Sequence, residues 1–190
     1  MPRINNHQFY SSALKTYGQT PRGVNWLSKE NQTLRFDAIL ELLPQNLDSI
    51  SIGDAGCGFG DFYTYIKSKP KNYLGIDSLK EMQNIAAKQT NSKILLADIT
   101  KDKLPTMDYY ICSGALNILT LFETHQFIVN CYKASKKGFI FNTLYGDKKS
   151  ETYNYLNKEK IKNIAKDLDV KKIIYKKAYL DNDITVGFYR

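Results

Sequence analysis

A chain of 190 residues, 43% apolar and 24% charged, is long enough to bury a substantial core as one domain and too apolar to stay disordered. No apolar run approaches bilayer-crossing length, the polar start Met1–His7 lacks a secretory segment, and three cysteines without a CxxC pair plus two histidines argue for reduced thiols in a cytoplasmic protein and against a disulfide scaffold or metal centre. The net charge of +8 falls mostly on residues 133–190, with 14 Lys/Arg against 7 Asp/Glu; because these are chiefly lysines interleaved with acids, they read as a solvated face before a nucleic-acid stripe.

Residues 1–27 are polar, with aromatic anchors at Phe9, Tyr10, Tyr17 and Trp26. A short helix over 6–17 is expected, broken at Gly18 and Pro21. Arg22 and Trp26 lie in the irregular stretch that follows, either as a lid over a pocket or, for Trp26, as an anchor packing the extension onto the domain. Ser28 caps a helix over 29–43 whose Phe36, Ile39, Leu40 and Leu43 form one apolar stripe, stopped by Pro44. A strand through Ile50 and Ile52 then runs into a turn with glycine at every second position, Gly56, Gly58 and Gly60, and into a helix from Asp61 to about Lys69 with Phe62, Tyr65 and Ile66 inward.

Two further strands end in acids, Tyr73–Asp77 and Ile94–Asp98, separated by a helix over about 79–88 that Ser78 caps. A central strand over 107–114 ends in small residues, and a helix over 119–136 carries Phe122, Ile128, Val129 and Tyr132. His125, three residues from both Phe122 and Ile128, reads as a core histidine and not a catalytic base. Another strand over 138–144 leads to a helix over 156–168 with Ile161, Ile164, Ala165 and Leu168 inward. Lys171–Leu180 and Asp183–Tyr189 read as a closing hairpin separated only by Asp181-Asn182.

The segment Asp54-Ala55-Gly56-Cys57-Gly58-Phe59-Gly60, with Asp77 and Asp98 closing the next two strands, resembles the first motifs of the class I S-adenosylmethionine-dependent methyltransferases. The resemblance covers roughly residues 28–190, with residues 1–27 as an extension or lid. It implies an α/β fold: a three-layer Rossmann-like sandwich whose seven-stranded, mostly parallel sheet has the order 3-2-1-4-5-7-6, with an antiparallel last strand. The Gly-x-Gly-x-Gly spacing, Asp98 and the terminal hairpin all speak against a nicotinamide dehydrogenase.

The resemblance also implies a cofactor site. Gly56, Cys57, Gly58 and Gly60 would pass under S-adenosylmethionine, and Asp54 would support its methionyl end. Asp77, with Ser78 beside it, would take the ribose hydroxyls, a vicinal diol that suits a carboxylate. Asp98 would take the adenine amino group with Ile99 against the ring, and Ser113 and Gly114 would offer carbonyls to the methionyl ammonium. Acceptor-side candidates are Arg22, Trp26, Asn117, Asn142 and Tyr145. No catalytic base is assigned, because a sulfonium is already a good leaving group and alignment does most of the work.

After the fourth strand the chain reads Cys112-Ser113-Gly114-Ala115-Leu116-Asn117 in place of the Asn/Asp-Pro-Pro-aromatic motif of amino-methylating relatives, which disfavours transfer to an exocyclic base nitrogen by that scheme. No catalytic cysteine pair is read either: Cys112 lies inside a strand, and Cys57 is small enough to fit the cofactor turn. The reading is a methyltransferase acting on a small molecule, without metal or membrane partner. The alternatives are an RNA methyltransferase using the basic C-terminal face and a binder that kept the cofactor and lost turnover.

Overall fold

The computed structural model describes residues 5–190, so the first four residues of the expected extension lie outside it. In chain order the elements are α1 (Asn6–Tyr17), a 3-10 turn (Pro21–Val24), α2 (Lys29–Leu40), β1 (Ser51–Ala55), α3 (Asp61–Tyr65), β2 (Asn72–Asp77), α4 (Lys80–Thr90), β3 (Lys93–Leu96), β4 (Met107–Ser113), α5 (Leu121–Ala134), β5 (Ser135–Leu144), α6 (Lys158–Asp167), β6 (Lys172–Lys176) and β7 (Asp183–Tyr189). They build one seven-stranded sheet of order β3-β2-β1-β4-β5-β7-β6, as the resemblance implied. β7 runs antiparallel to both neighbours, and the other pairings are parallel.

The strands are buried on both faces because their side chains alternate between two cores. Along β4, Tyr109 and Ile111 enter the core under α2 and α3, while Tyr110 and Cys112 enter the core under α5 and α6. Ile140 on β5 joins the first of these, and Phe139 and Phe141 join the second. Phe139, Phe141 and Phe188 are fully buried, each contributing on the order of 1.5–3 kcal/mol; Phe141 stacks on Phe139 at 5.0 Å between ring centres and meets Phe188 edge-to-face at 5.4 Å. The chain leaves β1 toward β2 and β3 on one side and returns to β4 on the other. This opens a crevice at the carboxyl ends of β1 and β4.

Several local expectations differ from the structure. α2 ends at Leu40, short of Pro44, in a turn that still buries Leu43. α3 stops at Tyr65, because Ile66 turns extended to bury its side chain and the Lys69 ammonium takes the carbonyls of Tyr63 and Ile66. Ser78 does not cap α4: Asp77 Oδ1 accepts from Leu79 N–H at 3.0 Å and so holds the helix start from one residue earlier. β3 ends at Leu96, which leaves Asp98 in the turn beyond it.

On α5, Phe122 is 72% exposed and the buried side is Thr124, Phe127, Ile128, Cys131 and Tyr132. His125 is therefore not a core residue; it is half-buried, with Nε2 3.5 Å from Asp167. The closing hairpin is not tight either. β6 ends at Lys176, and residues 177–182 loop out through positive φ at Ala178 and Asn182, which lets the Tyr179 hydroxyl reach Asp183 at 2.7 Å.

Candidate active site

The glycine turn after β1 is held from the neighbouring strand. Gly56 and Cys57 N–H both donate to Ile76 C=O, at 2.8 and 3.0 Å, and Gly58 N–H donates to Asp77 Oδ2 at 3.0 Å. Gly56 and Gly58 take φ of +75° and +55°, a region where a side chain is strained. A Cβ on Gly56 would also lie 2.6 Å from the Ala115 Cβ, so the turn packs directly on the segment after β4. Asp77 thus ties the turn to the start of α4 with one oxygen each, and keeps lone pairs for a ligand.

Two carboxyl groups here are lifted well above their ordinary range. Burial pushes Asp54 up to about 7, against the hydrogen bond it accepts from Tyr73 Oη at 2.7 Å. Burial likewise pushes Asp77 up to about 6, against its backbone N–H donors. Asp98 goes the other way: although burial works to raise it, bonds from Lys101 and Thr100 hold it below the usual value. The Cys57 thiol is raised well above normal by burial and by Asp77, and Cys112 is pushed up to about 12, so both stay protonated at neutral pH.

A cavity of about 590 Å³ opens over this turn, within the range of small-molecule sites. Of the sequence-derived residues, Asp54, Gly56, Cys57, Gly58, Asp77, Ser78, Asp98, Ile99, Ser113, Gly114, Trp26 and Asn117 line it. Gly60, Arg22, Asn142 and Tyr145 do not. Gly60 faces α4, where a Cβ would meet Thr90 at 2.4 Å, and Arg22 points into solvent. Asn142 is buried one layer behind: it accepts from Ser113 Oγ at 2.9 Å and donates to Thr185. Tyr145 packs under the Lys177 ammonium, 4.0 Å from its ring centre. Asn117 lines the wall and also braces it, accepting from Leu144 N–H at 3.0 Å and, through its carbonyl, from Asn154 N–H at 2.6 Å.

The extension forms part of the cavity. Tyr10 and Leu14 of α1, with Val24, pack against Phe59, Leu79 and Met82, and Trp26 lies over the Arg35 guanidinium at 4.6 Å. Tyr10, Gln32 and Arg35 line the wall and were not expected from the sequence. A signal was available for two of them: Gln32 and Arg35 fall at the i, i+3 spacing of the stripe that continues through Phe36 and Ile39, and polar residues on an inward stripe are unusual. Among the described residues, no cluster of His, Cys, Asp and Glu is placed to hold a metal ion, and no helix is long and apolar enough to cross a membrane.

A family model described as a methyltransferase domain matches residues 52–138, the span from β1 to β5. No curated protein matches the chain by sequence. Among solved structures, the fold resembles magnesium protoporphyrin IX methyltransferase from Synechocystis PCC 6803 with bound SAH, at TM-score 0.76, 16% identity and 96% coverage of each chain. It also resembles an S-adenosylmethionine-dependent methyltransferase from Clostridium acetobutylicum, at TM-score 0.66 and 15% identity over 95% of this chain and 98% of that one. A third, an S-adenosylmethionine-dependent methyltransferase from Leishmania major, aligns at TM-score 0.70 and 15% identity over 96% and 83%. At these identities the likeness is one of fold.

Proposed function

We infer that this chain, a class I S-adenosylmethionine-dependent methyltransferase, transfers the methyl group to a small-molecule acceptor bound under its N-terminal extension. The observation that carries the reading is the single cavity that joins the glycine turn and its three acids to Trp26, Ile118, Leu119, Phe127 and Tyr153.

The residues present fit the cofactor by their chemistry. Asp77 has accepting capacity left for a vicinal diol, Asp98 stands beside the apolar Ile99 for an adenine edge and face, and Asp54 with the carbonyls after β4 suits positive charge. When bound, S-adenosylmethionine supplies a methyl carbon on a sulfonium leaving group. What remains for the chain is to exclude water and align the acceptor's lone pair with that carbon. α1 and the 3-10 turn cover the crevice, so residues 1–27 would act as the lid of a domain spanning 28–190.

The cavity lining favours a small acceptor over RNA. Among the described residues it presents Asp54, Asp61, Asp77, Asp98 and Glu123 against one guanidinium, a poor setting for a phosphate backbone. Thermal unfolding with S-adenosylhomocysteine, with NAD and with buffer alone tests the reading. At a hundred times its Kd the ligand should add about 2.7 kcal/mol and several degrees. A shift with NAD alone would overturn it, and radiolabel transfer to a metabolite extract but not to RNA would support the acceptor class.

A further inference from the structure

A chain of buried hydrogen bonds runs behind the cavity, from the end of β4 to the loop between β6 and β7. Its two ends are Ser113 and Arg35, which both line the cavity. The Arg35 guanidinium donates to Asp183; burial works to raise the Asp183 carboxyl, and the Arg35 charge works to keep it ionised. A carboxylate only accepts, so the Tyr179 hydroxyl gives its one proton to Asp183 Oδ1 at 2.7 Å. The Tyr179 oxygen can then only accept, from Thr185 Oγ1 at 2.8 Å, and Thr185 in turn accepts from Asn142 Nδ2 at 2.5 Å. That leaves Asn142 Oδ1 toward β4, where it accepts from Ser113 Oγ at 2.9 Å. Every proton in the chain has one direction, set at Asp183. The Ser113 proton is engaged behind the wall, so any hydrogen bond its oxygen makes in the cavity is one it accepts.

We propose that Tyr179 is a positioning residue for methyl transfer, holding Arg35 through Asp183 and Ser113 through Thr185 and Asn142. The proposal rests on the cofactor reading above, and three observations carry it. The first is burial. Asn142 and Thr185 are fully buried and Asp183 and Arg35 nearly so, and apolar side chains of the same volume could join β5, β7 and α2 with no loss of stability. The second is where the chain ends. Both ends are on the cavity wall, although residues 177–182 themselves contribute nothing to that wall. A chain that served only to fasten the sheet would not need both ends there.

The third is the path of the loop. β6 and β7 pair no further than Lys176 and Thr185, although Asp181-Asn182 alone could have closed a tight hairpin. Residues 177–182 instead loop out, with left-handed φ of +65° at Ala178 and +55° at Asn182. That path sets one hydroxyl against Asp183 and Thr185 together.

Calorimetric titration with S-adenosylhomocysteine and tryptic cleavage of the full chain test this. Lys177, exposed at the start of the loop, reports loop opening, and Lys166, exposed on α6, reports opening elsewhere. Tyr179→Phe removes one hydroxyl and keeps the ring. It should weaken S-adenosylhomocysteine about 3- to 10-fold. Asp181→Asn, which alters an exposed residue of the same loop outside the chain, should change it by less than about twofold. Because coupling between two sites is reciprocal, saturating S-adenosylhomocysteine should slow wild-type cleavage after Lys177 by a factor of the same size, beyond any slowing after Lys166. In Tyr179→Phe that extra slowing should disappear. A tyrosine that only packs the loop would, when replaced, speed cleavage after Lys177 equally with and without ligand and leave the affinity unchanged, which would overturn the proposal. Wild-type cleavage after Lys177 that the ligand does not slow beyond that after Lys166 would overturn it without any variant. A wild-type chain that binds no S-adenosylhomocysteine would instead overturn the cofactor reading itself.

Discussion

The carboxyl groups of Asp54 and Asp77 are buried beside a site read as binding a cation, and that fixes the sign of a pH dependence. Both sit above the ordinary carboxylate value, at about 7 and about 6, chiefly through burial. In the ligand-free fold, the stability they contribute is present in full below about pH 4 and is lost as the pH rises through 6 and 7. A ligand bearing a sulfonium and an ammonium favours the ionised forms, so its binding should release protons in that window. We expect S-adenosylmethionine affinity to rise between pH 5.5 and 7.5, with a heat of binding that depends on the buffer's ionisation enthalpy; Asp54→Asn should flatten the upper part of the curve. A flat wild-type profile would separate these two acids from the ligand. The sequence made the acids legible because each lies at or just past a strand end, where a parallel sheet presents ligands. It could not show their protonation, which depends on Tyr73, Gly58 and Leu79 arriving from elsewhere in the chain.

At the scale of elements, strand order and the inward faces of α2 and α6 were legible, because the apolar periodicity there has one phase. α5 has two competing phases: Leu121 and Phe122 start a stripe that solvent takes, and Phe127, Ile128 and Cys131 make the one that packs. His125 was misplaced with the wrong stripe. Some of the 14 tyrosines also find a use that no periodicity reveals: the ring packs inward while the hydroxyl ties a loop, as Tyr110 does to Pro105 C=O at 2.6 Å and Tyr189 to Leu42 C=O at 2.7 Å. Gly60 shows how a motif residue can serve an element and not the ligand. It starts α3 at φ +81°, and its missing Cβ makes room for Thr90 of α4. Gly60→Ala should therefore destabilise the fold by about 2 kcal/mol in urea unfolding, from left-handed backbone strain plus overpacking. S-adenosylhomocysteine affinity should stay within about threefold at temperatures where the variant is folded. A large affinity loss with unchanged stability would return Gly60 to the binding site.

For the molecule as a whole, the question is whether a basic surface can govern an acidic cavity. The C-terminal lysines cluster on α6 and β6, with Lys162, Lys166 and Lys172 exposed. The strand order places β6 four strands from β1, roughly 19 Å away at about 4.8 Å per strand. That separation is about twice the Debye length at physiological ionic strength, so screened charges on this edge contribute little at the glycine turn. The same lysines remain free to attract polyanions without specificity, with an affinity that falls steeply as salt rises. Replacing Lys162, Lys166 and Lys172 together by Gln should then abolish salt-sensitive retention on heparin or RNA while changing S-adenosylhomocysteine affinity by less than about twofold in 150 mM salt. The two properties are separable because distance and screening separate them. If the triple variant lost methyl transfer together with RNA retention, the basic edge would be delivering the acceptor, and the substrate would be RNA after all.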